Sequence, residues 1–466
     1  MSPLPVLEPA SLPRDRGELP ARLAFWLRVR EFAVPTSMID TATARRQVGD
    51  WAGACAAAHV DVDLDLRATA RRYGGELAAR VRADLRQLAP DLLRWHLPRV
   101  APDGLLRPGL TMALARYEYE NHDGGTDSVQ LVVRTAPAWA DYGQRISLAL
   151  WDGTSGGLHP RPRPDRRFRL DLHRHLWDAR RTGELRTRSS AGEFESDTGL
   201  LAAVPQGCAV DRWAAEAAIL LRAEQSTTGL FVVRAGTRRQ LVLELGAARG
   251  ASGPGHASLR VAEKYSRATV SALPVLPDAA TWALPDLALL RAGAITADRL
   301  HPLVAAALDP GGARADRTTP EAGQRIVDCR GERHRIGVVD GVLVALDHDP
   351  GEIRREELLV ALTGRPLPCL RVIDEAHRRP DWLAEVRQRL DHGDTDGALD
   401  LVESVLGQDA SLRAGPLLNT LEAAVRQRIT FGLYRAGLPA PGRGRVRPVR
   451  PARGERRAHP RHATLH

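Results

Sequence analysis

Four side chains that could share one metal ion, Cys329, His334, His348 and Cys369, lie in the C-terminal third of the chain. Thiolate and imidazole are the groups zinc takes in tetrahedral sites, although the irregular intervals match no standard finger spacing. Cys329 beside His334 could alternatively form a thiolate–imidazole couple for nucleophilic chemistry. Two turns decide whether the pair meets. Arg330-Gly331-Glu332-Arg333 places Gly first, as a type II′ turn requires, and Asp340-Gly341 suits a type I′ turn. The resulting meander sets Cys329 across from His334, Val327 across from Ile336 and Val338 across from Leu343, all on one face. The apolar company raises a thiol's pKa, which favours a structural core pair over a reactive one.

Three other constellations carry less. Asp171, His173 and His175 alternate with Leu170 and Leu172, so a strand would present three ligands on one face. Arg167 and Arg169 share that face and oppose a cation, so the segment is expected to be a solvated basic strand edge. Leu370 to His377 contains Asp374-Glu375-Ala376-His377, the form of a helicase box. A phosphate-cradling loop ending in Lys-Ser/Thr is missing, because the only lysine is Lys264 and no such glycines flank it. The expectation is a helical segment that binds no nucleotide, with Val372 and Ile373 buried. Gly153-Thr154-Ser155-Gly156-Gly157 and Ala58-His59 are similar to serine-protease motifs, but His59 ends an Ala-rich helix, so a glycine-rich loop is expected there instead.

Composition bounds the function class. The 466 residues carry 66 basic side chains and a net charge of +9. Eight Arg and one Glu lie between Gly442 and His466, for +7, and ten Arg with four acidic residues lie between Leu158 and Arg188, for +6. The rest of the chain is therefore net acidic, which argues against a basic nucleic-acid-binding body. The tail, residues 441–466, has no aromatic side chain to stack on bases, so only weak, salt-sensitive polyanion contact is expected of it. Four scattered cysteines predict free thiols. The absence of a long apolar run or a basic-then-apolar leader predicts a cytoplasmic protein without membrane contact.

The elements that would position these groups follow from periodicity. Helices are expected over Leu19–Phe32, Ser37–Val48, Trp51–Ala58, Leu66–Leu88 with a break at Gly74-Gly75, and Pro90–His96. Gly-Asp-x-x-Gly-Ala occurs at 49–54 and 393–398, which marks Asp50 and Asp394 as helix N-caps. From Gly109 the period changes to two, with strands at Leu110–Leu114, Val129–Val133, Ile146–Leu150 and Phe168–Leu172 in a sheet with one wet face. Leu230–Val233 and Leu241–Leu245 form a hairpin, and Asp211–Ala223 a helix. After the meander, Asp349-Pro350-Gly351-Glu352 starts a helix. Trp382, Val386 and Leu390 then face Leu399, Val402 and Leu406 in a helical hairpin, before a last helix over Leu417–Ala436. The class is α+β. Its expected parts are a helical N-terminal region (1–108), an antiparallel-sheet domain (109–263), a Pro/Gly-rich connector (264–322), a β-meander with helices (323–440) and a disordered Arg/Pro tail (441–466).

Phe25–Phe32, Arg169–Asp178 and Ala458–Thr464 resemble segments of long actinobacterial proteins from high-GC genomes. The resemblance implies a source and no catalytic residue. The expectation is a non-catalytic adaptor or scaffold that binds other macromolecules and needs no cofactor. The alternatives are a zinc- or thiol-dependent enzyme centred on Cys329 and His334, and a nucleic-acid-associated protein using the tail.

Overall fold

The computed structural model describes residues 21–121, 124–154, 159–189, 204–236, 240–247, 257–262, 266–308, 325–329, 332–339, 342–345, 347–349, 351–355, 358, 368, 371, 381–406 and 415–438. The fold is α+β. Two compact units divide it, one built from residues of 1–139 and 145–314, the other from 140–144 and 315–445. The tail, Asp374-Glu375-Ala376-His377, Ser155-Gly156-Gly157 and Cys369 lie outside the described residues. No described helix is long and apolar enough to cross a membrane.

In the N-terminal unit the helices come first: α1 (Ala21–Arg28), α2 (Thr36–Gln47), α3 (Trp51–Ala57), α4 (Leu66–Tyr73), α5 (Gly75–Gln87) and α6 (Pro90–Trp95). A single π turn, Val29–Ala33, extends α1, and the buried Arg94 donates from Nε to the Ala33 carbonyl at its end (2.9 Å). Asp50 caps α3 by accepting from the Gly53 amide (2.8 Å), and Asp394 treats Gly397 in the same way (3.0 Å). A Cβ at either glycine would collide with the capping carboxylate, which explains the repeated Gly-Asp-x-x-Gly-Ala. The break between α4 and α5 falls at Gly74, whose φ of 91° is costly for a side chain.

These helices share one core with a four-stranded sheet, in the order β1 (Val60–Val62), β6 (Ile146–Trp151), β5 (Thr126–Thr135), β4 (Thr111–Glu120). Between α6 and β4 the small β2 (Arg99–Val100) and β3 (Leu105–Leu106) pair with each other. The β4–β5 and β5–β6 pairs are antiparallel as expected, and β1 adds a parallel strand that three residues could not announce. One face is wet only at the far end, where Arg116 and Glu118 are exposed; Thr111 to Ala115 are buried on both faces.

The expected strand over Phe168–Leu172 is corrected. This stretch is a series of turns running beside β4, with the Asp165 and Asp171 amides donating to the Thr111 and Ala113 carbonyls (2.8 and 2.9 Å). It leads to a 3-10 turn at Arg174–Leu176 and the short helix α7 (Glu184–Ser189). Trp177 and Asp178 are fully buried behind the turn. Arg174 and Arg180 both reach Asp178 (2.7 and 2.9 Å) and Asp84 (2.5 and 2.8 Å), and Asp84 also accepts from the Tyr117 hydroxyl (2.8 Å). One ion network thus joins α5, β4 and the turn.

A second core lies under the hairpin strands β7 (Leu230–Arg234) and β8 (Gln240–Ala247), with β9 (Ala257–Val261) completing an antiparallel meander. Helix α8 (Val210–Ala223) covers it with Trp213, which is fully buried and donates from Nε1 to the Thr281 carbonyl (3.1 Å).

In the C-terminal unit β10 (Arg325–Cys329), β11 (Glu332–Val339) and β12 (Val342–Ala345) form the meander. Later in the chain come a helical hairpin, α9 (Asp381–His392) and α10 (Thr395–Leu406), and α11 (Pro416–Arg435). Val386, Leu390, Ala398 and Val402 form the helical core; Val402 lies there as expected, while Leu399 is 42% exposed and Ala398 takes its place.

Asp178→Asn should destabilise the N-terminal unit by about 3 kcal/mol, because two guanidinium groups lose the charge that both of them bond. Urea denaturation checks it; a loss under about 1 kcal/mol would show that the network is dispensable.

Candidate metal centre

The meander decides which candidate ligands meet. The β11–β12 register follows the Asp-Gly turn, with Val338 opposite Leu343 as expected. The first hairpin is corrected: Cys329 pairs with Glu332 and Val327 with His334, so Cys329 and His334 are diagonal rather than directly opposed. The connection has moved back by one residue on each strand. That slip changes the pairing by two positions, which preserves the face, and period-two geometry keeps both side chains on the same side of the sheet.

His348 enters from just beyond β12. The amides of Glu352 and Ile353 donate to the Asp349 carbonyl (2.9 and 3.1 Å), which starts the expected helix at 351–355. This places Glu352 one turn after His348, with its Oε2 3.4 Å from His348 Nδ1. The other nitrogen, His348 Nε2, is 2.7 Å from His334 Nδ1, and the two rings meet edge to face. One ligand atom each from Cys329, His334 and His348 lie within 4.8 Å of one another. Cys329 is fully buried, and the His348 side chain is 4% exposed.

This arrangement fits a tetrahedral cation. Zn–N bonds of 2.0–2.1 Å at a tetrahedral angle set two nitrogens about 3.3 Å apart, so the imidazoles need separate by only about 0.6 Å. At 2.7 Å the two nitrogens share a single proton, and a metal would displace it. A carboxylate on the Nδ1 side is the usual outer-sphere partner of a histidine that ligates through Nε2, and Glu352 stands in that place. Sequence reasoning named three of these four residues and missed Glu352, although its place four residues after His348 was readable.

No protein-family model, curated protein or solved structure matches this chain. The chemistry therefore rests on the geometry alone.

The second candidate set is corrected. Asp171, His173 and His175 are not on a strand face, and the two histidines are 2% exposed rather than solvated. Asp171 is taken by Arg169 through both carboxylate oxygens (2.8 and 2.8 Å). His173 faces the Arg169 carbonyl with Nδ1 and the Glu216 carboxylate with Nε2 (both 3.1 Å), so both ring nitrogens are already engaged by oxygen atoms. Glu216 is buried, which opposes its charge, yet His173 and Arg188 bond it and hold it down to about 2. Among the described cysteines outside the cluster, burial pushes Cys55 up to about 12 and Cys208 up to about 11, which leaves them inert thiols.

His175 is held well below its ordinary value by burial and then by His173 and Arg188, and His96 is lowered to about 3 by burial and then by His301 and Arg99. Both are neutral in the fold and protonated in the unfolded chain below about pH 6.5, so folding releases their protons there. Stability of the N-terminal unit should fall as pH drops from about 6.5 toward 3, by up to about 1.4 kcal/mol per pH unit for each histidine. Urea denaturation at pH 7.5 and 5.5, repeated with His175→Gln, checks it. Equal stability at the two pH values would contradict it, and the variant should flatten the slope.

Proposed function

We propose that this chain is a zinc-binding, non-catalytic protein whose C-terminal unit is held in shape by a metal clip and serves as a binding module for a macromolecular partner. The convergence of Cys329, His334 and His348, with Glu352 behind His348, is the observation that carries the reading. One thiolate and two imidazoles select zinc over magnesium or calcium, which take oxygen ligands. The clip would tie β10 and β11 to the start of the helix at 351–355, elements that otherwise belong to a small sheet. Burial of Cys329 supports a structural role, because catalytic zinc sites keep an accessible coordination position. The sequence's fourth ligand candidate, Cys369, would complete a closed site. On α11, Val425 and Ile429 stand one turn apart at 57% and 53% exposure, which favours binding to another macromolecule through that helix.

The full chain should take up one equivalent of zinc, and cobalt in its place should give tetrahedral d–d bands with thiolate charge transfer. Cys329→Ser or His334→Ala should weaken binding at least about 100-fold, and Glu352→Gln about 10-fold. Failure to bind zinc or cobalt stoichiometrically in reducing buffer would remove the reading.

A further inference from the structure

The arginines of the basic segment are mostly neutralised inside the protein. Arg167 pairs with Asp278 through two bonds (3.2 and 2.7 Å), Arg169 with Asp171 and Glu224, Arg174 and Arg180 with Asp84 and Asp178, and Arg188 with Glu216. Against that pattern, three arginines of the N-terminal unit have no carboxylate partner among the described residues, and all three line one cavity.

Arg99 is 6% exposed. It donates from both terminal nitrogens to the carbonyls of Gly104 and Arg94 (2.8 Å each), and its buried Nε makes no hydrogen bond. Arg107 makes no side-chain hydrogen bond or salt bridge in the described structure, and it feels Arg167 more strongly than either Asp165 or Asp278. Arg22 lies 5.7 Å over the Trp282 ring and reaches only the Ala283 carbonyl (3.4 Å). Burial lowers the pKa of all three, which expresses the cost of holding charge there without a counter-ion.

The rest of the lining combines ion-paired groups, Arg167 with Asp278 and Arg169, itself held by Asp171, with an apolar and aromatic set: Phe25 and Trp26 of α1, Met112 of β4, Phe168 and Trp282. The cavity has a volume of about 140 Å³. An apolar cavity of about 150 Å³ holds a benzene ring, so one aromatic ring matches the space. His96 also lines it and, being neutral, adds no competing charge.

We propose that this cavity is a binding site for a one-ring aryl anion, an aryl carboxylate or aryl phosphate, with the ring among Phe25, Trp26, Phe168 and Trp282 and the anionic group facing Arg22, Arg99 and Arg107. Three guanidinium groups with no bonded carboxylate supply the complementary charge, the nearby Asp278 being taken by Arg167, and planar donors suit both oxyanions. The site stands independently of the metal centre.

Arg107→Gln separates binding from folding, since that guanidinium bonds nothing and is repelled by Arg167. Isothermal titration of the full chain with phenyl phosphate and with benzoate, alongside neutral benzyl alcohol and inorganic phosphate, tests the site. The expected result is saturable binding of at least one aryl anion, weakened at least about tenfold by Arg107→Gln, with the variant's ligand-free thermal midpoint unchanged or higher. Phenyl phosphate against benzoate tells which oxyanion the arginines prefer. The proposal is overturned if neither aryl anion binds at millimolar concentration, if benzyl alcohol or inorganic phosphate binds equally well, or if Arg107→Gln leaves affinity intact.

Discussion

The buried carboxylate of Asp178 is the contact on which the N-terminal unit depends most. It has no exposure, yet it carries a charge, and such a group survives only with strong partners. Arg174 and Arg180 supply them and share Asp84 on α5, so a turn without regular secondary structure is fixed between helix and sheet. Backbone bonds follow the ions: the Ala89 amide donates to the Trp177 carbonyl and the Ala179 amide to the Gln87 carbonyl, both at 2.8 Å. Trp177 is thereby driven into the core, where its Nε1 finds the Leu170 carbonyl (3.0 Å).

The same network changes what the chain's basicity means. Between Leu158 and Arg188 the sequence shows a net +6, but Arg167, Arg169, Arg174, Arg180 and Arg188 bond carboxylates from distant segments, such as Asp278 and Glu216. The segment is an internal tether and not an exposed basic strand. Charge left unneutralised is therefore informative where it occurs, and it gathers at Arg22, Arg99 and Arg107 around an aromatic cavity.

Local chemistry was legible in the sequence, and long-range assembly was not. Asp50 and Asp394 announced their caps, Gly74 announced a break, and Asp340-Gly341 fixed the β11–β12 register. Phe168, Leu170 and Leu172 mimicked a strand, but the turns send Phe168 and Leu170 into the core under the four-stranded sheet and Leu172 against the second core, so their alternation marks no single sheet face. Ala398 replaced Leu399 in the helical core because a hairpin of closely packed helices favours the smaller side chain at its contact. Cys329, His334 and His348 were readable as ligand types, and a slip of the first turn left Cys329 and His334 on one face because the sheet period is two. The cavity was not readable, since its walls come from α1, the stretch after α6, β4 and two later turns.

The most direct test of the account is X-ray absorption at the zinc K-edge on the purified full chain. The account predicts sulfur scattering at about 2.3 Å together with nitrogen at 2.0–2.1 Å and imidazole outer-shell features, all lost in the Cys329→Ser, His334→Ala double variant. A spectrum with oxygen ligands only, or one unchanged in that variant, would contradict it.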